Sequence, residues 1–131
     1  MNIGKIYKFK YISKKKPYDK NPFVVLLAET KNKLFGINLN FVTIHSQKFV
    51  VKFINDEILK SGKGDIEKLI EANNKINEEQ FFKILIMSNE DKPIMIDDKP
   101  KSKHSILKTM KKAVRIYSKK NITEITEMDY A

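Results

Sequence analysis

The sequence contains no cysteine and no tryptophan, and it has only two histidines, four glycines and four prolines among its 131 residues. Without cysteine the chain can form neither disulfides nor thiolate metal sites. His45 and His104 lie far apart and have no partner at a spacing typical of metal ligands or of a catalytic pair. Neither a P-loop nor a GxGxxG motif is present. We therefore predict a protein without metal, cofactor or enzymatic activity.

Long apolar runs are also missing from the chain. No segment approaches the roughly 20 apolar residues that span a bilayer, and the N-terminus lacks a signal-peptide pattern. The apolar residues, 41% of the total, are clustered and periodic, which favours a folded chain over a disordered one. We expect a soluble protein with no membrane contact, folded as a single domain over residues 1–131.

Positive charge is abundant and unevenly distributed. The net charge of +10 arises from two basic blocks, residues 1–52 and 99–120, which each carry a net charge of +9. Residues 53–98 between them carry a net charge of −5. If the fold brings the basic blocks together, their field can recruit nucleic acid. The alternative is that lysine simply covers every exposed surface, as expected of a protein from an AT-rich genome.

The first third of the chain predicts a small β-unit. Residues 5–11 alternate strictly, with Tyr7, Phe9 and Tyr11 on one side, and residues 23–28 and 34–39 are further strand candidates. Short links between them predict an antiparallel meander, in which Gly36 marks a bulge or a close approach. The three aromatic side chains could form a base-stacking platform, but beside an apolar strand we interpret them as core.

The remainder of the chain predicts helices and further strands. Helices are expected over 46–60, with Ser46 as N-cap, and over 65–72. Residues 81–87 and 93–97 are predicted to pair as a hairpin, 97–103 to form a loop, and 121–126 to form a last strand. The predicted fold is α+β, an antiparallel, barrel-like sheet with two main helices, and its strand–loop–strand start resembles small SH3-like barrels.

A helix predicted over 105–119 carries the first candidate binding site. Its apolar residues fall on one side, and five cations fall on the opposite arc without a neighbouring acid: Lys108, Lys111, Lys112, Arg115 and Lys119. Such a face suits contacts with phosphates, which position a protein on a duplex without reading its sequence. The alternative is the solvated outer face of a helix packed on a sheet.

A lysine-rich turn after the first strand is the second candidate. The basic residues around Pro17 and Tyr18 are Lys14, Lys15, Lys16 and Lys20. They could grip a nucleic-acid backbone, with the tyrosine stacking on a base, or form an inert hairpin tip. Asp19 with Glu29-Thr30-Lys31 also matches, loosely, the acid-then-ExK pattern of metal-dependent nucleases. That short pattern arises easily by chance, and it falls where a tight turn is expected.

The order of residues in the first third resembles a family of contractile-tailed phage proteins. The residues that carry the resemblance are Gly4-Lys5, Tyr7, Phe9, Tyr11, Pro17-Tyr18-Asp19, Pro22 and Phe35-Gly36-Ile37-Asn38-Leu39. Residues 113–130 match more weakly. The chain departs from the family pattern at Asn40-Phe41-Val42-Thr43, and residues 62–100 have no counterpart. Members of this family act as DNA end-protector or head-completion proteins.

The resemblance implies a protein of the virion that acts at the end of the packaged genome. Together with the basic segments, it leads us to expect a non-enzymatic protein that binds double-stranded DNA without sequence specificity, in the host cytoplasm and/or the virion. One alternative is a structural adaptor of a head–tail or baseplate assembly, whose acidic residues 53–98 would pair with a basic phage protein. Another is a small effector that binds a host protein. The sequence does not indicate the oligomeric state.

Overall fold

The computed structural model describes residues 1–12, 19–60, 66–73 and 75–130. Within these ranges no helix is both long enough and apolar enough to cross a bilayer. The lysine-rich turn predicted after the first strand lies mostly outside the described residues, as does the link between the helices predicted over 46–60 and 65–72. The fold is α+β, as predicted, and combines a five-stranded antiparallel sheet with helices and a separate hairpin.

The strands of the main sheet are β1 (Ile6–Tyr11), β2 (Phe23–Glu29), β3 (Lys33–Asn38), β6 (Val114–Ser118) and β7 (Ile122–Met128), and those of the hairpin are β4 (Pro93–Ile96) and β5 (Lys99–Ser102). The main sheet has the order β6–β3–β2–β1–β7 and is antiparallel throughout. The predicted meander of the first three strands and the predicted last strand are therefore confirmed.

The sheet is curved, but it does not close. In a flat sheet β1 and β6 would lie about 14 Å apart, three strand spacings. Instead, the rings of Tyr11 on β1 and Tyr117 on β6 are 4.9 Å apart, and the Ser118 N–H donates to the Tyr11 hydroxyl at 3.1 Å. The edge strands β6 and β7 are not paired with each other over their described lengths. The predicted barrel is thus corrected to an open, strongly curved sheet.

Both faces of this sheet are apolar. The concave face buries Tyr7, Phe9 and Tyr117 together with aliphatic residues of β2 and β3. The predicted core role is therefore confirmed for Tyr7 and Phe9, whereas Tyr11 is half-buried against them. The other face packs against helices, with the rings of Phe35 and Phe81 5.1 Å apart. Gly36 lies where the backbone of β2 approaches closely, since a Cβ there would be 2.4 Å from the Val25 carbonyl oxygen. The predicted close approach is confirmed.

The helices differ from their predicted positions and number. They are α1 (Ile44–Phe53), α2 (Ile66–Glu71), α3 (Glu78–Met87) and α4 (Lys103–Thr109), four in the described ranges where two main helices were predicted. Helix α1 begins after Thr43, not at Ser46, and continues as a π-helical segment, Ile54–Ile58. The helix predicted over 65–72 is confirmed by α2 where the chain is described.

Residues 81–87 were predicted as a strand and are helical. Asn77 and Gln80 form a capping box, and Phe81, Phe82 and Leu85 are buried on one side of α3. The capping box favours a helix from Glu78 onward, and this preference exceeds the strand preference of the apolar residues 81–87. The true partner of β4 is β5, joined to it by a turn in which Asp97 and Asp98 both have positive φ. The segment predicted as a loop, 97–103, is therefore a turn, a strand and the first residue of α4.

Candidate anion-binding surface

The predicted helix over 105–119 is wrong beyond Thr109, where α4 ends. A 3₁₀ turn follows at Lys111–Ala113, and β6 begins at Val114. The apolar positions of this segment fit a helical period, but Val114 and Ile116 are β-branched and pair with β3. Cross-strand packing against a buried strand overrides the helical pattern here. The five predicted cations consequently do not share one helical face.

Two of the five cations lie apart from the rest. Lys119 follows β6, and its Nζ is 2.6 Å from Oε2 of Glu29, so its charge is neutralised. Lys108 lies in the last turn of α4, and its charge acts on Asp91. The pKa of Asp91 is lowered by hydrogen bonds from the Ser102 hydroxyl and the His104 N–H, and to a smaller extent by positive charges that include Lys108. Neither lysine joins the surface described next.

The other three cations, Lys111, Lys112 and Arg115, lie on the 3₁₀ turn and at the start of β6 and are called the 111–115 cluster. The guanidinium of Arg115 is 4.4 Å from the centroid of the Phe41 ring, and its Nη1 donates to the carbonyls of Lys112 and Val114, both at 2.7 Å. Lys111 and Lys112 are exposed on the 3₁₀ turn, and Nζ of Lys111 is 5.7 Å from the Phe82 centroid. The fold therefore holds an arginine in a fixed orientation beside two exposed lysines.

The cluster has no acidic counterpart in the described part of the chain. No described carboxylate lies within 4.0 Å of a charged nitrogen of Lys111, Lys112 or Arg115, whereas Lys10, Lys92 and Lys119 are each paired with a glutamate. Nη1 of Arg115 is occupied by backbone carbonyls, which leaves its Nε and Nη2 for a ligand. A guanidinium fork beside two ammonium groups suits a phosphate.

The first basic block approaches this cluster through a short 3₁₀ turn, Leu39–Phe41. Oδ2 of Asp19 accepts hydrogen bonds from the side-chain amides of Asn38 at 2.7 Å and Asn40 at 2.9 Å. Asn40 directly precedes Phe41, whose ring contacts the guanidinium of Arg115. The Asp19 carboxylate and exposed Lys20 beside it are thus both brought to the same end of the sheet as the cluster, and Asp19 lies outside ion-pair distance of the three cations. The other lysines of that candidate site, Lys14, Lys15 and Lys16, lie outside the described residues.

Three residues that position this surface were not identified as site residues from the sequence. Asn38 is fully buried, and its Oδ1 accepts from the N–H groups of Asn40 and Phe23, which fixes the Leu39–Phe41 turn. An asparagine that ends an apolar strand is a recognisable cap signal. No comparable signal marks Phe41 or Asn40, because their partners are distant in sequence.

The carboxylates of the nuclease-like pattern lie far apart. Asp19 precedes β2 and Glu29 ends it, and a strand of this length separates its ends by about 20 Å. Glu29 is paired with Lys119 and with the N-terminal amine, at 2.6 and 3.5 Å. Among the described residues, no group of three or more His, Asp or Glu side chains could hold a metal ion. The pattern therefore does not assemble a two-carboxylate site.

Comparisons with protein-family models, with curated proteins and with solved structures find no match for this chain. A function therefore has to be inferred from the chain's own residues.

Proposed function

We propose that the protein is a non-enzymatic, phage virion-associated protein that binds the backbone or the ends of double-stranded DNA. The observation that carries the binding proposal is the 111–115 cluster, three adjacent cations with no described carboxylate within ion-pair distance. Lys20 would add a further positive charge, because it follows Asp19, whose carboxylate is hydrogen-bonded to Asn40 of the Leu39–Phe41 turn. The phage context comes from the resemblance in residues 3–42.

Binding through this surface would not depend on sequence. Lysine and arginine contacts to phosphate release counterions whichever base is present. The guanidinium of Arg115 contacts the Phe41 ring and donates hydrogen bonds to two backbone carbonyls. Because the side chain is already ordered, little side-chain entropy is lost when it binds a phosphate. The expected behaviour is a positioning contact on a duplex.

Charge reversal in the cluster tests this proposal. We expect Lys111→Glu with Lys112→Glu to weaken the binding of a blunt 20-base-pair duplex about tenfold or more, measured by fluorescence anisotropy at low salt. The matched control is Lys99→Glu with Lys101→Glu, which makes the same change in net charge on the exposed hairpin strand β5. Equal loss of affinity in both variants would mean that only net charge matters, and would contradict a localised surface.

A structural adaptor of a phage assembly is the second candidate. The observation that favours it is the exposure of two methionines in the acidic segment, Met87 (78%) and Met95 (67%). Exposed methionines adapt readily to an apolar partner. An adaptor would be found in purified particles and would remain there after nuclease treatment, without binding free duplex.

A further inference from the structure

Helix α1 exposes a face to which neither the proposed duplex contact nor the sequence patterns assign a role. At about 100° per residue, five exposed side chains of the helix fall within an arc of about 140°. They are Ile44, His45, Lys48, Phe49 and Lys52, and they are called the outer face of α1. Val50 and Phe53 lie outside this arc and pack into the core. The helix is therefore fixed on the body of the protein by its other side.

The outer face of α1 contains two large apolar side chains. Ile44 is 75% exposed and Phe49 is 38% exposed. The Phe49 ring stacks on the ring of buried Phe53, with centroids 6.0 Å apart and planes inclined by 17°. Phe49 is thereby held in one orientation at the surface, which lowers the entropic cost of covering it. Ordered aromatic side chains of this kind are enriched at the centres of protein–protein interfaces.

The two lysines of the outer face of α1 have no acidic partner in the described part of the chain. No described carboxylate lies within 4.0 Å of Nζ of Lys48 or Lys52, although other lysines of the chain do form ion pairs. The first turn of α1 contains no acidic residue. Asp56, one turn after Lys52, lies in the π-helical segment and makes no ion pair with it. The uncompensated positive charge of this face complements an acidic partner.

Two parallel rows of side chains run along the outer face of α1. One row consists of Ile44, Lys48 and Lys52 at steps of four residues, and the neighbouring row contains His45 and Phe49. Rows at this spacing form ridges, and the groove between two ridges accepts a row of side chains from a second helix. A helix with apolar residues along its centre and carboxylates at its sides therefore matches both the shape and the charge of this face.

We propose that the outer face of α1 binds an acidic amphipathic helix of a partner protein, with Ile44 and Phe49 against its apolar residues and Lys48 and Lys52 against its carboxylates. Duplex DNA is the competing partner, but its phosphates offer nothing apolar to cover Ile44. A second copy of the chain is disfavoured, because it carries the same net charge of +10. An α-helix of 10 residues is about 15 Å long, so the contact is small and its dissociation constant should lie in the micromolar range.

The test compares two synthetic peptides by amide chemical-shift mapping on the full chain. One is a two-heptad peptide with leucine at the a and d positions and glutamate elsewhere, and the other has the same composition in scrambled order. We expect the amphipathic peptide to shift the amides of Ile44, Lys48, Phe49 and Lys52, with an affinity about fivefold or more above that of the scrambled peptide. Equal affinities, or shifts confined to other residues, would overturn the inference. So would shifts of these amides by blunt duplex and not by the peptide, or by self-association of the chain.

A pair of variants separates this inference from the proposed function, on which it does not rest. Lys48→Glu with Lys52→Glu should abolish binding of the amphipathic peptide, and should lower duplex affinity no more than the charge-matched control, Lys99→Glu with Lys101→Glu. Equal loss of peptide affinity in the two variants would mean that only net charge matters, and would overturn the inference. If duplex binds the 111–115 cluster but the peptide does not bind, the inference is wrong and the proposed function stands. If the peptide binds but duplex does not, the inference stands and the duplex proposal is wrong.

Discussion

The guanidinium of Arg115 lies 4.4 Å from the centroid of the Phe41 ring, which joins the end of the β-meander to the second basic block. Phe41 follows β3 directly, whereas Arg115 lies on β6 after all of the helices. This contact, with the hydrogen bonds from Nη1 to the Lys112 and Val114 carbonyls, orients the arginine. It is the reason for placing the candidate binding surface at this end of the sheet.

Removal of the ring should weaken duplex binding, because it frees the guanidinium of Arg115. The cation–π contact is already present in the unbound protein, so its 0.5–1 kcal/mol, roughly, sets an upper limit on the loss, and Phe41→Ala should lower duplex affinity by no more than about two- to fivefold in an anisotropy titration. The matched control is Phe49→Ala, since Phe49 is similarly exposed, 38% against 37%, but stacks on Phe53 and no cation. Equal losses of affinity in the two variants would contradict an orienting role for Phe41.

Lys119 should contribute to stability and not to DNA binding. Its ammonium group already neutralises Glu29 at 2.6 Å, so Lys119→Ala should leave duplex affinity within about twofold and lower the free energy of unfolding by about 0.5–1 kcal/mol. Chemical denaturation and anisotropy measure the two effects separately. A large loss of duplex affinity with an unchanged free energy of unfolding would show that Lys119 belongs to the binding surface.

The same pair predicts a pH dependence of stability. The hydrogen bond from Lys119 lowers the pKa of Glu29, and a carboxylate with a lowered folded-state pKa stabilises the fold above its unfolded-state pKa. The stability difference between the wild type and Lys119→Ala should thus be complete at pH 7 and disappear as the pH falls below about 4. A difference that persists at pH 2 would show that Lys119 acts by packing and not by charge.

Tyr117 and Tyr11 should respond oppositely to loss of their hydroxyl groups. The Tyr117 hydroxyl is buried and has no partner with hydrogen-bond geometry in the described part of the chain; burial raises its pKa, and the nearby side chain of Asn38 lowers it by less. Tyr117→Phe should therefore be neutral or stabilising by up to about 1 kcal/mol, whereas Tyr11→Phe leaves the Ser118 N–H unpaired and should cost about 1 kcal/mol. Thermal unfolding compares the two variants. Destabilisation by Tyr117→Phe would indicate a hydrogen bond at that hydroxyl.

Gly36 should not tolerate even one added carbon. A Cβ there would be 2.4 Å from the Val25 carbonyl oxygen and 2.5 Å from Cγ1 of Val24. Gly36→Ala should therefore lower the free energy of unfolding by about 3 kcal/mol, as expected of overpacking against a backbone that cannot move away. Thr126→Ala, on the exposed edge strand β7, should change it by less than about 0.5 kcal/mol. Similar unfolding midpoints for the two variants would contradict this close approach.

The sequence predicted the β-meander well because each strand has a local signal. Strict alternation marked β1, and a continuous apolar run marked β2. It failed over 110–119, beyond the end of α4, because the apolar spacing there fits both a continued helix and a 3₁₀ turn followed by a strand. Only the pairing of Val114 with Ile37 selects the second arrangement, and that contact joins residues 77 positions apart.

The sequence predicted which charged residues belong to the candidate site, but it did not predict how the fold arranges them. Lys111, Lys112 and Arg115 were chosen for their charge, and they lie on a 3₁₀ turn and the strand after it, not on the predicted helix. Two contacts depend on strand register and on the curvature of the sheet. They are the ion pair of Lys119 with Glu29 and the cation–π contact of Arg115 with Phe41. Neither property is encoded in the local pattern of a single segment.

The salt dependence of duplex binding tests the proposed binding surface most directly. For a blunt duplex held by three cations, the logarithm of the binding constant should fall with the logarithm of salt concentration with a slope of about −3. Lys111→Glu with Lys112→Glu should reduce the magnitude of this slope by about 2, while Lys99→Glu with Lys101→Glu should leave it unchanged. A slope near zero for the wild type, or the same slope in all three proteins, would contradict a phosphate-binding surface at the 111–115 cluster.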